Sequence, residues 1–291
     1  MEIRVVGSVA FDSIETPFGK KDDVLGGSAT YFSTAASFFT GVQMVAVVGE
    51  DFPDEPRQFL TSRGVDLNGL QTQPGETFRW KGRYGYDLNE ARTLETHLNV
   101  FETFHPQLPQ AYRQADYVFL ANIDPELQLE VLQQVERPKL IACDTMNFWI
   151  GGKRDALVKT LGHVDILVIN EAEARQLAEQ ANLVKASKQI LDLGPKTLVV
   201  KRGEYGVLVF SEHSIFSAPA YHMEEVFDPT GAGDTFAGGF MCYLAATNNL
   251  NDESILKATV FGSVMASFNV EDFSPVSNTH LRDHETERLI S

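Results

Sequence analysis

The chain has 291 residues, 43% of them hydrophobic, and carries a formal net charge of -16 at pH 7. This length is enough to bury a large core in one or two domains. The acidic balance repels nucleic-acid phosphates and anionic membrane surfaces, so neither is expected as a partner. The two cysteines, Cys143 and Cys242, are too far apart in sequence to build a disulfide framework or a cysteine metal site. With no signal-peptide pattern at the start and no apolar run near ~18 residues, we expect a cytoplasmic protein.

Short β-branched segments alternate with helical patterns along most of the chain. Strands are predicted at 3–6, 44–48, 117–120, 140–142, 166–169, 197–200 and 207–210. Helices are predicted at 29–39, 125–134, 153–161, 171–179, 185–193, 234–246 and 252–268. This alternation is typical of an α/β protein with a mostly parallel sheet covered on both faces.

Residues 78–86 break this rhythm, because aromatic residues occupy even positions and basic residues occupy most of the odd ones. In a strand, successive side chains point to opposite faces, so one face would be aromatic and the other cationic. Residues 87–90 can turn the chain, and residues 93–100 alternate again. We expect a hairpin at 77–101 that stands off the main sheet. The alternative is an edge hairpin that packs its aromatic residues on the core.

The most informative segment is 228–240, which reads D-P-T-G-A-G-D-T-F-A-G-G-F. Gly231 and Gly233 permit a tight turn with positive φ, and the small residues that follow indicate a closely packed helix. The start of a helix has unpaired N–H groups and the positive pole of the helix dipole, which favours phosphate binding. Asp234, at the same end, can either cap the helix or accept a proton from a bound hydroxyl. The segment is neither a P-loop nor a G-x-G-x-x-G loop, since Phe236 occupies the place of the last glycine.

This segment resembles the carboxy-terminal signature of the ribokinase (PfkB) family of carbohydrate and nucleoside kinases. Other segments resemble the family's motifs in the same order along the chain: the Gly-Gly pair at 26–27, the glycine-bearing segment 41–51, the Asn-x-x-Glu at 170–173 and the glycine turn at 201–206. The resemblance implies a ribokinase-like three-layer α/β/α fold with a mostly parallel central sheet and a small β lid. It covers nearly the whole chain, which is expected to be one domain, 1–291, with lid segments at about 13–25 and 77–101.

The resemblance also implies roles on the acceptor side of the site. Asp234 would be the catalytic base. Three backbone N–H groups would form an anion hole beside it: those of Gly231, Ala232 and Gly233. Three residues would bind the acceptor: Asp12, Gly26 and Gly27. Asp12 could instead only end a strand and open a turn.

On the nucleotide side, the resemblance implies that ATP is bound by Asn170, Lys201, Gly203 and Gly206. Glu173 would hold Mg²⁺, directly or through water, and Asp228 is a candidate for a monovalent cation, which leaves dependence on K⁺ open. Asn170 and Glu173 are also typical of a helix cap followed by its first-turn acid. Lys201 could also be a solvated strand end. A homodimer is left open.

The implied activity is transfer of the γ-phosphoryl group of ATP to a hydroxymethyl group of a small sugar. A nucleoside is the alternative acceptor, because aromatic residues could stack on its base, among them Tyr31, Phe32, Trp80 and Tyr84. A non-catalytic sugar-binding regulator on the same fold is a third hypothesis. Ser28, Tyr31, Phe32 and Pro229 depart from the family pattern in the acceptor half, so the sequence leaves the acceptor open.

Overall fold

The computed structural model describes residues 1–273. It contains thirteen strands in this part of the chain: β1 Glu2–Val6, β2 Ala10–Thr16, β3 Gly19–Gly26, β4 Gly41–Gly49, β5 Val65–Gln73, β6 Phe78–Tyr84, β7 Ala91–His97, β8 Tyr117–Leu120, β9 Leu140–Cys143, β10 Ile166–Asn170, β11 Thr197–Lys201, β12 Val207–Ser211 and β13 Ile215–Ala218. The helices are α1 Ser28–Ala36, α2 Asp54–Ser62, α3 Gln110–Arg113, α4 Pro125–Leu132, α5 Asn147–Gly152, α6 Arg154–Leu161, α7 Glu171–Ala178, α8 Leu183–Leu191, α9 Ala232–Thr247 and α10 Asp252–Asn269.

The larger sheet has nine strands in the order β13-β12-β11-β10-β9-β8-β1-β4-β5. Its pairs from β11 to β5 are parallel, whereas β12 and β13 are added antiparallel at one edge. Every strand predicted from β-branched runs is present, and the predicted helices agree with the observed ones to within a few residues. The α/β class is therefore confirmed.

Helices cover both faces of this sheet, because its strands are apolar on both sides. Val5 packs into a core with Phe32 of α1 and Phe240 of α9. The next residue, Val6, points to the opposite face and packs into a second core with Leu157 and Leu177. Strands that alternate between two cores require a helical layer on each side, which gives the expected three-layer arrangement. None of the helices within residues 1–273 is long and apolar enough to cross a membrane.

A second, four-stranded sheet of order β3-β2-β6-β7 stands apart from the main sheet, and we call it the small sheet. The cationic face expected for β6 is present, and its charges are paired across the sheet. Lys81 lies 2.9 Å from Glu95 of β7, and Arg83 lies 2.9 Å from Glu15 of β2. Such exposed pairs contribute little stability, but they favour one register of the strands.

The ends of the predicted hairpin belong to the body of the protein and not to the small sheet. Thr77 is fully buried, and its hydroxyl donates to Asp51 at 2.6 Å while accepting from the N–H of Gly49. Val100 and Phe101 are buried in the core. Phe78, at the start of β6, stacks on Phe101 as well. The segment that lies outside the core is therefore 79–97, shorter than the predicted 77–101.

Candidate active site

The candidate site lies at the carboxyl ends of the parallel strands, near the point where the strand order reverses. β1 has β8 on one side and β4 on the other, which makes it the switch point of the main sheet. Ligands of open α/β sheets bind in the crevice at such a point. Asp144 follows β9, Asn170 ends β10 and Lys201 ends β11, so three polar side chains reach this edge together.

The glycine turn before α9 presents a cluster of free backbone donors. Gly231 has φ +74° and precedes the first residue of the helix. The N–H groups of Gly231, Gly233 and Asp234 have no acceptor among residues 1–273, whereas that of Ala232 donates to the carbonyl of Pro229 at 3.1 Å. The Ala232 amide, one of the three predicted donors of the anion hole, is therefore not free, because it is used within the turn. These free donors at a helix start favour binding of a phosphoryl group.

The same turn is enclosed by an aromatic ring and an ammonium group. A Cβ on Gly231 would lie 2.3 Å from the ring of Tyr31, and a Cβ on Gly233 would lie 2.8 Å from Nζ of Lys201. The ring leaves no room for a side chain at Gly231, and a side chain at Gly233 would displace the ammonium of Lys201. The two glycines therefore let the backbone approach the ring of Tyr31 and the ammonium of Lys201, whose positive charge would help to bind a phosphate.

Asp234 lies in the first turn of α9 and is half-buried. Its carboxylate makes no hydrogen bond to residues 1–273, and no side chain caps this helix. The capping alternative therefore finds no support in the geometry. Burial raises the pKa of Asp234 to about 7, Asp144 adds to the effect, and Lys201 opposes it. A carboxylate with a pKa near neutrality is well placed to act as a general base.

Lys201 is largely buried and pairs with Asp144, with Nζ 3.3 Å from Oδ2. Burial works against the charged ammonium, but the carboxylates of Asp144, Glu173 and Asp234 outweigh it and raise the pKa of Lys201. Lys201 is therefore not a solvated strand end, which was the alternative interpretation of the sequence. Asp144 was not predicted as a site residue. Its position directly after β9, whose neighbour β10 ends at Asn170, is the signal that would have identified it.

Asn170 and Glu173 form a capping box at the start of α7. Asn170 Oδ1 accepts from the N–H of Glu173, and Glu173 Oε2 accepts from the N–H of Asn170, both at 2.8 Å. Burial and the nearby Asp144 raise the pKa of Glu173 to about 7. The box holds one oxygen of Glu173 and leaves the other available. No group of three or more His, Cys, Asp or Glu side chains within residues 1–273 could hold a metal alone.

Asp12 lies in β2, in the small sheet, and is only 5% exposed. Its carboxylate accepts a hydrogen bond from the N–H of Gly27, and burial, with Asp228 and Asp234 nearby, raises its pKa to about 7. A Cβ on Gly26 would lie 1.9 Å from Oδ2 of Asp12. The structure thus brings together the three predicted acceptor residues, and Gly26 is required for the approach.

Asp228 and Thr230 connect the glycine turn to the small sheet. Asp228 Oδ1 accepts from the N–H of Thr230 at 2.9 Å, while Oδ2 is buried and has no partner among residues 1–273. Burial raises the pKa of Asp228 to about 6. Thr230 Oγ1 donates to the hydroxyl of Tyr84, at the end of β6, at 3.3 Å. Tyr84 therefore reaches the site, whereas Phe78, at the other end of β6, stacks on Phe101 in the core.

The turn at Gly203–Gly206 meets the tip of the small sheet. Gly203 and Gly206 have φ +54° and +86°, and a Cβ on Gly206 would lie 2.1 Å from the carbonyl of Ala218. Oδ1 of Asn89, in the loop between β6 and β7, would lie only 1.8 Å from a Cβ on Gly203. The sequence did not predict this contact, because it joins two loops that are far apart in the chain.

Comparison with known proteins identifies similar chains over most of this length. The profile described as "pfkB family carbohydrate kinase" matches residues 22–280. A cytidine kinase of Thermococcus kodakarensis is 32% identical over 247 residues, which are 83% of this chain and 87% of the relative. The crystal structure of a Methanocaldococcus jannaschii nucleoside kinase has a TM-score of 0.79 at 21% identity, covering 99% of this chain and 98% of that one. An aminoimidazole riboside kinase of Salmonella enterica, solved with its riboside and an ATP analogue, has a TM-score of 0.77 at 17% identity, covering 99% and 100%.

Proposed function

This chain belongs to the pfkB family of carbohydrate kinases, and from that membership we propose that it transfers the γ-phosphoryl group of ATP to the primary hydroxyl of a nucleoside. The phosphoryl-transfer proposal is supported by one observation: a free carboxylate, that of Asp234, and the unpaired N–H groups of Gly231 and Gly233 lie in the same short turn. The choice of a nucleoside is supported by the 32% identity to a cytidine kinase. It is also supported by Tyr84, an aromatic residue at the end of β6 that reaches the site.

In the proposed reaction, Asp234 accepts the proton of the primary hydroxyl. The oxygen of that hydroxyl bonds to the γ-phosphorus of ATP, and the bond between the γ-phosphorus and the bridging oxygen breaks to release ADP. Phosphoryl transfer depends on positioning and charge neutralisation more than on covalent chemistry. The free N–H groups of the turn and the ammonium of Lys201 stabilise the charge on the transferring group. Asp12 binds other hydroxyls of the acceptor and so holds the reacting one beside Asp234.

The residues on the nucleotide side fit ATP with Mg²⁺. Mg²⁺ usually keeps several waters and is bound by one or two carboxylates together with substrate phosphates. Glu173, with one carboxylate oxygen left available by the capping box, would hold it, and Mg²⁺ would neutralise phosphate charge. Asp228, with its buried and unpaired Oδ2, is the candidate ligand for K⁺. The turn at Gly203–Gly206 would contact the nucleotide.

A coupled assay of ADP release with Mg-ATP tests the proposal. The acceptors are ribonucleosides, pentoses, hexoses and sugar acids, and identification of the phosphorylated product accompanies each. We expect the highest kcat/KM with a ribonucleoside. A clear preference for a free sugar would overturn the nucleoside assignment but leave the kinase intact. No transfer to any acceptor would overturn the phosphotransferase assignment itself.

The small sheet is predicted to act as a lid that closes on the acceptor. Tyr84 contacts Thr230 and Asn89 contacts Gly203, so the sheet touches both halves of the site. Replacing residues 79–96 with a short glycine linker spares Thr77 and the buried turn after β7, so the body should fold. Transfer should fall, and ATP hydrolysis should rise relative to transfer, because water reaches the phosphoryl group.

Hydrogen exchange gives an independent measure of lid closure. Protection of residues 79–97 should rise when acceptor is added to the intact protein. Residues 42–46, in the buried strand β4, serve as the internal reference and should not change. Unchanged protection of 79–97 at saturating acceptor would contradict closure of the lid.

A further inference from the structure

Tyr31, in the first turn of α1, carries a buried hydroxyl that the fold leaves unpaired. The residue is 2% exposed, and its hydroxyl has no hydrogen-bond partner among residues 1–273. Buried hydroxyls are nearly always paired, because an unpaired one loses its bonds to water without replacement. A phenylalanine would fill the same space without that penalty. Four other buried hydroxyls within residues 1–273 also lack a partner, those of Thr30, Ser33, Thr34 and Thr145, so it is the surroundings of the Tyr31 hydroxyl that single it out.

Tyr31 lies at the acceptor site: its N–H donates to the carbonyl of Gly27 at 3.2 Å, and its ring lies against Gly231. Asp12, Asp228, Asp234 and Tyr84 all act on its hydroxyl electrostatically, and burial together with these groups raises the pKa of Tyr31 well above its usual range. The phenol thus stays protonated and remains a hydrogen-bond donor. The contact with Gly231 restricts movement of the ring. The donor is held rigidly beside the turn that would bind the phosphoryl group.

The chemistry of the surroundings defines the group that would complete the site. Asp12 can only accept hydrogen bonds when ionised, and Tyr31 is the nearby donor. An alcohol is a group that can donate to a carboxylate and accept from a phenol at once. We propose that the Tyr31 hydroxyl donates a hydrogen bond to an alcohol oxygen of the acceptor, shared with Asp12, and so determines which acceptors are used. This inference rests on the proposed function.

The hydroxyl is shielded in the present arrangement, and Tyr84 of the lid is among its neighbours. The acceptor must therefore enter with the lid open and be enclosed when Tyr84 returns to Thr230. This order of events fits the position of Tyr31 on α1, which belongs to the rigid body and not to the lid. Tyr31 would stay in place and hydrogen-bond to the acceptor, while the small sheet opens and closes.

Tyr31→Phe removes the hydroxyl and keeps the ring on Gly231. We expect KM for the best acceptor of the screen to rise roughly 3- to 10-fold, as for loss of one neutral hydrogen bond. KM for ATP should stay unchanged, and the melting temperature should stay equal or rise, because an unpaired buried hydroxyl is lost. The matched control is Tyr112→Phe, which removes a paired hydroxyl, bonded to the carbonyl of Asp66 at 3.2 Å, away from the site. It should lower stability and leave both KM values unchanged.

Acceptor analogues that each lack one hydroxyl identify the partner. In the wild type, the deoxy analogue that lacks the shared alcohol loses its bonds to both Tyr31 and Asp12. In Tyr31→Phe only the bond to Asp12 remains to be lost, so the loss in kcat/KM of that analogue relative to its parent should be roughly 3- to 10-fold smaller than in the wild type. A wild-type KM for every acceptor in Tyr31→Phe, or equal losses for all analogues in both proteins, would overturn the inference while leaving the kinase assignment in place. Failure of the wild type to phosphorylate any acceptor would instead overturn the proposed function on which it rests.

Discussion

Asp234→Asn should lower kcat by a factor of ~10²–10⁴ while leaving the affinity for ATP nearly unchanged. A primary hydroxyl is a poor nucleophile until its proton is leaving, and asparagine has no basic oxygen to take that proton. The substitution keeps the size of the side chain and the turn around Gly231 and Gly233. Steady-state kinetics on the best acceptor, with ATP binding measured by calorimetry, separates loss of chemistry from loss of binding.

The pH dependence provides a second measurement on the same residue. With the pKa of Asp234 raised to about 7, the base is protonated in acid, so kcat/KM should rise as the pH increases through about 7. For stability the sign is opposite. A carboxyl whose pKa is higher in the folded than in the unfolded chain stabilises the fold below the unfolded value, and this contribution is lost as the pH rises through about 7. Asp234→Asn should therefore melt at the same temperature as the wild type, or higher, at pH 8.

The control for this substitution is Asp252→Asn, which changes an exposed aspartate in the first turn of α10. It should match the wild-type activity at every pH. If Asp234→Asn also turned over its acceptor at close to the wild-type rate, the catalytic assignment of Asp234 could not stand. A capping role predicts that pattern, since asparagine caps a helix about as well as aspartate.

The main sheet was predictable because its strands are short, β-branched and buried on both faces, a pattern that few other structures share. The glycine turn at 231–233 was predictable because glycine has a physical reason to occur where φ is positive and where Tyr31 and Lys201 approach. By contrast, β5 was missed, since Asp66, Asn68 and Gly69 interrupt its apolar pattern. Edge strands face solvent on more sides and carry weaker signals.

The details of the site depended on contacts between distant segments, which no local pattern encodes. Asp144 becomes a site residue only because β9 lies beside β10 in the sheet, close to Lys201. The contact of Asn89 with Gly203 exists because the small sheet folds back over the body. The amide of Ala232 is lost from the anion hole through one hydrogen bond to Pro229. Tyr31 was noted as a departure from the family pattern, but its unpaired hydroxyl is visible only in three dimensions.

Asp12→Ala should raise KM for the acceptor by roughly 10- to 150-fold and leave KM for ATP close to the wild-type value. A hydrogen bond to a charged group contributes ~1.5–3 kcal/mol, and about 1.4 kcal/mol corresponds to a tenfold change. Because Asp12 also accepts from the N–H of Gly27, the alanine variant leaves that amide unpaired. Asp12→Asn keeps an oxygen for Gly27 and removes the charge, so it should fold normally and show a smaller rise in acceptor KM.

The split between the two KM values is what separates an acceptor-binding role from a structural one. If Asp12 only shaped the end of β2, loss of its side chain would disturb the small sheet and lower the melting temperature without favouring one substrate. Asp22→Ala is the control, because Asp22 is an exposed aspartate of β3 in the same sheet, paired with Lys20 at 2.8 Å. It should leave all kinetic constants unchanged. If a folded Asp12→Ala protein had wild-type KM values and kcat, the assignment of Asp12 to the acceptor site would be wrong. The inference about Tyr31 would then lose the carboxylate with which Tyr31 is proposed to share an alcohol.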